Sequence, residues 1–166
     1  MTGFHATNPL LPGFNPDPSI VRVDASAGTG GLAARYDEQH WFALEAHSDE
    51  AATTVTALAR IAGMAQEWTA VLPAGEVELR VEMAPPAGGF TAESLGGDRI
   101  RLVACAGGED VLLTELDGRF WTAETCTSFT GRVLGLYATE GTVRFADYRY
   151  RGSETGEQHR PGEVGA

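Results

Sequence analysis

At 166 residues and 43% hydrophobic content, the chain has the size and composition of one globular domain with its own core. Its formal net charge is -11 and all 12 basic residues are arginines without a clustered stripe, which argues against nucleic acid as a partner. No run approaches the roughly 18 apolar residues of a membrane span. The opening MTGFHATNPLLPGF lacks the basic start and apolar stretch of a secretory signal, so a cytoplasmic location is expected.

In chain order, Pro9, Pro12, Pro16 and Pro18 come first. Proline fixes φ and removes an amide donor, so residues 1–24 are expected to run extended along the surface. Within them SIVRVD, Ser19 to Asp24, alternates well enough for one short strand. The small-residue stretch ASAGTGG follows, and residues 25–30 are expected to be a flexible linker.

From residue 31 to 151 the period is two nearly everywhere, clearest in EVELRVEM, where Val77, Leu79, Val81 and Met83 alternate with charges. Gly31 to Glu45 predicts two strands joined by a polar turn at Asp37-Glu38-Gln39. Further strands are predicted over Thr53–Ile61, Gln66–Leu72, Arg99–Ala104 and Val111–Leu116. Val133–Thr139 and Thr142–Tyr150 predict two more, joined by a turn at Glu140-Gly141. The alanine-rich TALARIAGMA, Thr56 to Ala65, also admits a helix. Short strands separated by glycines and polar breaks point to a β-sandwich or jelly roll. The polar tail 152–166 is expected to be disordered.

Three blocks carry a resemblance: GLAARYDEQHWFAL, VELRVEM, and FTGRVLGLYAT followed by FADYRY. In that order and spacing they resemble the C-terminal domain of glycoside hydrolase family 43 β-xylosidases. The resemblance implies an all-β fold, a concanavalin A-like jelly-roll sandwich of two antiparallel sheets. The segment NPLLPGFNPDPSI, Asn8 to Ile20, resembles the start of the catalytic domain of the same enzymes. In that family a five-bladed β-propeller lies between these blocks, and here only the short 25–30 stretch occupies that place.

An inverting glycosidase needs two carboxyl groups, one protonating the leaving oxygen and one activating water. By resemblance, Asp17 takes the place of the general base. The family's glutamate acid and its helper aspartate belong to the propeller, and no position here matches them. Read from the residues alone, Asp17 is foremost a turn residue between two prolines, its carboxylate bonded to nearby backbone amides.

The loop 127–131 implies a second role, since in the family the block containing Phe129 reaches toward the active site. Phe129 is therefore either a contact for a sugar or a catalytic partner, or a core residue beside Gly131. Among aromatic platforms, WFAL and GLYAT read as buried strand segments, which puts Trp41 and Tyr137 in the core. Trp121, beside Gly118-Arg119 at an expected turn, is the tryptophan expected to be exposed and to touch ligand.

Cys105 and Cys126 are expected as free, partly buried thiols. Without an Asp-x-Asp-x-Asp spacing or paired histidines, no metal and no cofactor are expected.

The leading reading is a non-catalytic accessory, carbohydrate-recognition sandwich related to β-xylosidases and arabinofuranosidases acting on hemicellulose oligosaccharides. Its expected partners are a pentose oligosaccharide and either a second copy or a propeller-bearing glycosidase. The alternatives are an active inverting glycosidase, with Asp17 as base and the acid from another residue or subunit, and a vestigial protein-interaction domain.

Overall fold

The computed structural model describes residues 19–84, 98–126 and 131–150. Eight antiparallel strands form in chain order: β1 (Ser19–Arg35), β2 (His40–Ser48), β3 (Ala52–Ile61), β4 (Met64–Pro73), β5 (Val77–Ala84), β6 (Arg99–Ala106), β7 (Glu109–Asp117) and β8 (Val133–Tyr150). Their hydrogen-bonded order is β4-β3-β2-β1-β5-β6-β7, with β8 also along β1.

The two longest strands, β1 and β8, are shared by both leaves of the sandwich. Residues 29–35 of β1 pair with β2, residues 19–23 pair with β5, and β8 follows β1 along both stretches. Three register shifts between β1 and β8 bend the ribbon from one leaf into the other. At the far side β4 comes back close to β7, so the sandwich nearly closes into a barrel.

Two expectations change here. Residues 25–30 are not a linker but the middle of β1. Their small side chains serve close packing: a Cβ on Gly31 would strike the Leu44 carbonyl oxygen, and one on Gly30 the Tyr137 carbonyl oxygen. Likewise, the predicted turn at Glu140-Gly141 is a bend, with Gly141 at φ 59, inside one continuous strand. Both parts of β8 run antiparallel to β1, so the chain has no reason to reverse there.

The helix admitted by Thr56–Ala65 is a β3–β4 hairpin that turns at Ala62-Gly63. Period-two burial decides it: Thr53, Val55, Ala57 and Ala59 point inward, while Thr54, Thr56 and Leu58 are only partly covered.

Turn chemistry fixes the other reversals. Asp37 Oδ1 accepts the amides of Gln39 and His40, each at 2.7 Å, and Asp49 Oδ1 accepts those of Ala51 and Ala52, each at 2.8 Å. Gly107 and Gly108, at φ 62 and 86, make the tight β6–β7 turn that needs left-handed backbone twice.

The core lies between the leaves. Leu32, Phe42, Leu44 and Val55 enter from the first leaf, and Val21, Leu79, Ile100 and Leu102 from the second, all fully buried. A 3-10 turn, Gly118–Trp121, and one helical turn, α1 (Ala123–Cys126), add Trp121 to this core. Cys105 is half-buried, Cys126 is buried, and both are free thiols. No described helix is long and apolar enough to cross a membrane.

Candidate functional site: an aromatic groove on the outer face of the first leaf

Residues inside each strand alternate between the core and the outer surface, and on the first leaf the outward set is unusual. Ala33 of β1 pairs with Ala43 of β2 on one side and Gly135 of β8 on the other. Small side chains in adjacent strands leave a hollow, because nothing there is long enough to cover its neighbour. Larger residues rise around it: Trp41 and Glu45 from β2, Leu58 from β3, Tyr137 from β8, with Arg35 and Glu38 at the rim. The resulting groove has a volume of about 560 Å³.

Its polar groups are arranged for hydrogen bonding rather than for proton transfer. Tyr137 Oη donates to Glu45 Oε2 at 3.1 Å across Gly31, which pairs with both residues. Burial, and then the Glu45 charge and hydrogen bond, push the Tyr137 phenol far above its ordinary value, so it remains a proton-bearing donor. At the rim, the Arg35 guanidinium sits 3.5 Å from the Glu38 carboxylate, and both side chains are exposed. The groove thus offers an apolar floor, two aromatic walls, two carboxylates and one guanidinium. Such a lining suits a neutral ligand with an apolar face and several hydroxyls.

Aromatic roles are exchanged relative to the sequence expectation. Trp121, expected exposed, is 2% exposed. Its ring meets Phe42 edge-on at 5.4 Å and 82°, and its Nε1 donates to the Arg60 carbonyl oxygen at 3.1 Å. A buried tryptophan with its indole N–H satisfied is a core anchor, so it offers no face to a ligand. Trp41 and Tyr137, expected in the core, are instead only half-buried and line the groove. The signal was present in WFAL: period two must put Trp41 and Phe42 on opposite faces, and Phe42 is the one at 0% exposure.

Asp17 and Phe129 lie outside the described residues. Close to Phe129 in sequence, Arg132 carries a role that sequence reasoning did not assign. Its guanidinium forms an ion pair with Asp98, reaches the Trp121 carbonyl oxygen through Nε at 2.9 Å, and the Gly118 carbonyl oxygen at 3.1 Å. With only 5% of the side chain exposed, Arg132 ties the start of β8 to the segment carrying Trp121.

Among the described residues no group of three or more His, Cys, Asp or Glu side chains could hold a metal ion. Asp37 is used in its turn, and Asp147 Oδ2 lies 2.7 Å from Arg22.

Over residues 21–151 the sequence matches the family described as the β-xylosidase C-terminal concanavalin A-like domain. The chain belongs to that family. The match begins inside β1, as expected if the former linker is part of the sandwich.

Solved structures repeat the fold. Bacteroides ovatus GH43B of the xyloglucan PUL superposes with a TM-score of 0.66 at 17% identity, over 83% of this chain and 28% of that one. The GH43 protein BlXynB from Bacillus licheniformis gives 0.61 at 14% identity, over 82% of this chain and 27% of that one. The chain therefore spans little more than a quarter of the length of these GH43 proteins. A functionally unknown protein from Saccharomyces cerevisiae gives 0.55 at 15% identity, with 84% of this chain and 71% of that one covered. No curated protein sequence matches the chain.

Proposed function

We propose that the chain is a non-catalytic carbohydrate-recognition sandwich of the β-xylosidase and arabinofuranosidase class, and that it holds a pentose unit of a hemicellulose oligosaccharide in the outer-face groove. The observation that carries this reading is the groove itself, on a sandwich of the β-xylosidase C-terminal family. Trp41 and Tyr137 supply faces on which the apolar side of a sugar ring stacks. Glu45 accepts hydrogen bonds from sugar hydroxyls, and Arg35 donates them. Two carboxylates against one guanidinium favour a neutral sugar over a uronic acid.

Calorimetric titration with xylo-oligosaccharides and with arabinose-containing oligosaccharides tests the reading. Saturable binding by the parent chain, lost in Trp41→Ala while Trp121→Phe retains it, is the expected result. Absence of binding at high sugar concentration would leave the protein-interaction reading in its place. Hydrolysis of an aryl β-xyloside that vanishes in Asp17→Asn would overturn the non-catalytic part and favour a working glycosidase.

A further inference from the structure

Among the described residues, no strand lies along the second edge of β8, which pairs only with β1. Its 18 residues form the longest described strand, and three of its large apolar side chains are exposed: Val133 at 43%, Leu136 at 40% and Tyr148 at 36%. Open edges present a row of amide and carbonyl groups to any other chain, and proline is one device that blunts them. Residues 133–150 contain no proline. They hold Glu140 and Asp147 against Arg144 and Arg149, a neutral strand in a chain of net charge -11. Elsewhere the acid excess repels a second copy, and along β8 it does not.

We propose that this edge is a two-fold interface, with β8 pairing antiparallel to β8 of a second copy about Thr142. The strand's own sequence is self-complementary in that register. Glu140 and Arg144 each lie two residues from Thr142, so each meets the other's counterpart in the second copy, and the contact occurs twice. Leu136 and Tyr148 lie on either side of this charged centre and are exposed, so apolar surface flanks it in both directions. Arg144 is available for this: its side chain is 84% exposed, and its ion pair among the described residues is a 3.7 Å contact to Asp24. The extra residues of β8 fall at the Ala138/Glu140 and Ala146/Arg149 steps, outside the 140–144 stretch that carries the charged pairs. The interface is separate from the sugar groove reading and stands without it.

The test is sedimentation of the full chain at concentrations up to about 1 mM, with charge reversals at the paired positions. A monomer–dimer equilibrium is expected. Glu140→Arg and Arg144→Glu should each weaken it about tenfold or more, and E140R/R144E together should restore it to within about threefold of the parent. Leu136→Lys, a gatekeeper of the usual edge type, should also favour monomer. All of these side chains are exposed, and unchanged thermal unfolding would verify that each variant folds. Amide exchange in the parent chain, slowed over 133–150 only at high concentration, gives a readout independent of any variant. A monomer throughout, single reversals without effect, or a double variant as weak as the singles would overturn the proposal.

Discussion

The outer faces of the two leaves are built from the same alternation of residues and come to opposite ends. On the second leaf, long charged side chains fill the surface. Arg80 lies between Glu78, Glu82 and Asp110, and Arg101 reaches Glu82 at 2.7 Å and Glu115 at 3.8 Å. These cross-strand ion pairs cover the strands on which they lie. On the first leaf the same places hold Ala33, Ala43 and Gly135, and the ring of Trp41, Leu58 and Tyr137 encloses a groove. Side-chain length at a few outward positions, rather than fold, decides which face can take a ligand.

Four experiments would break or sharpen this contrast. The largest effect separates the two faces of β2. Phe42→Ala empties the core beneath Trp121 and should cost about 3–5 kcal/mol in denaturant unfolding. Trp41→Ala, one residue earlier and half-buried, should cost only about 1–2 kcal/mol while removing saturable sugar binding.

Next in size is Tyr137→Phe, which deletes the hydrogen bond to Glu45 and leaves the ring. Oligosaccharide affinity should fall by about fivefold to tenfold, as expected for one hydrogen bond of about 1 kcal/mol. The raised phenol pKa has a stability consequence of definite sign. Folding holds the proton on Tyr137, so its contribution is full below the ordinary tyrosine value of about 10 and is lost as pH rises beyond it. In Tyr137→Phe that share of the alkaline fall in melting temperature should disappear.

On the second leaf, Arg80→Ala should cost about 1 kcal/mol, because partners as exposed as Asp110 are screened by water. Sugar binding should not change. An equal loss of binding would show that the ladder, and not the groove, contacts the ligand.

The smallest effect is acidic. The hydrogen bond from Arg80 holds the Asp110 carboxyl below the usual carboxylate range, and that from Arg119 does the same for Asp117. Depressed carboxyls stabilise above the unfolded value of about 4, and lose that contribution as pH falls through the folded value. Melting temperature should therefore hold from neutral pH to about 4 and drop below it, less steeply in Asp110→Asn.

Much of the fold was legible in the sequence. EVELRVEM reads directly as β5, with Val77, Leu79, Val81 and Met83 inward, and Asp37 marks the β1–β2 turn that it caps. The family was legible too, in the blocks GLAARYDEQHWFAL, VELRVEM and FTGRVLGLYAT. Reading failed where a residue type has two uses. ASAGTGG is flexible in isolation, yet between β2 and β8 its glycines are required by carbonyl oxygens that would touch any Cβ. Tryptophan beside a turn suggested exposure, yet the Gly118–Trp121 turn folds inward over Phe42.

The sequence by itself determined the period-two strands and most of their turns, because these follow from local alternation and turn chemistry, and it carried the concanavalin A-like family through the resemblance of three blocks. Only the tertiary structure decided that β1 and β8 are shared by both leaves, that Trp41 and Tyr137 face one groove, and that Arg132 meets Asp98. Such placements depend on which strands become neighbours. Tyr137 and Glu45 are 92 positions apart in the chain and 3.1 Å apart in space, a closeness that no local pattern encodes.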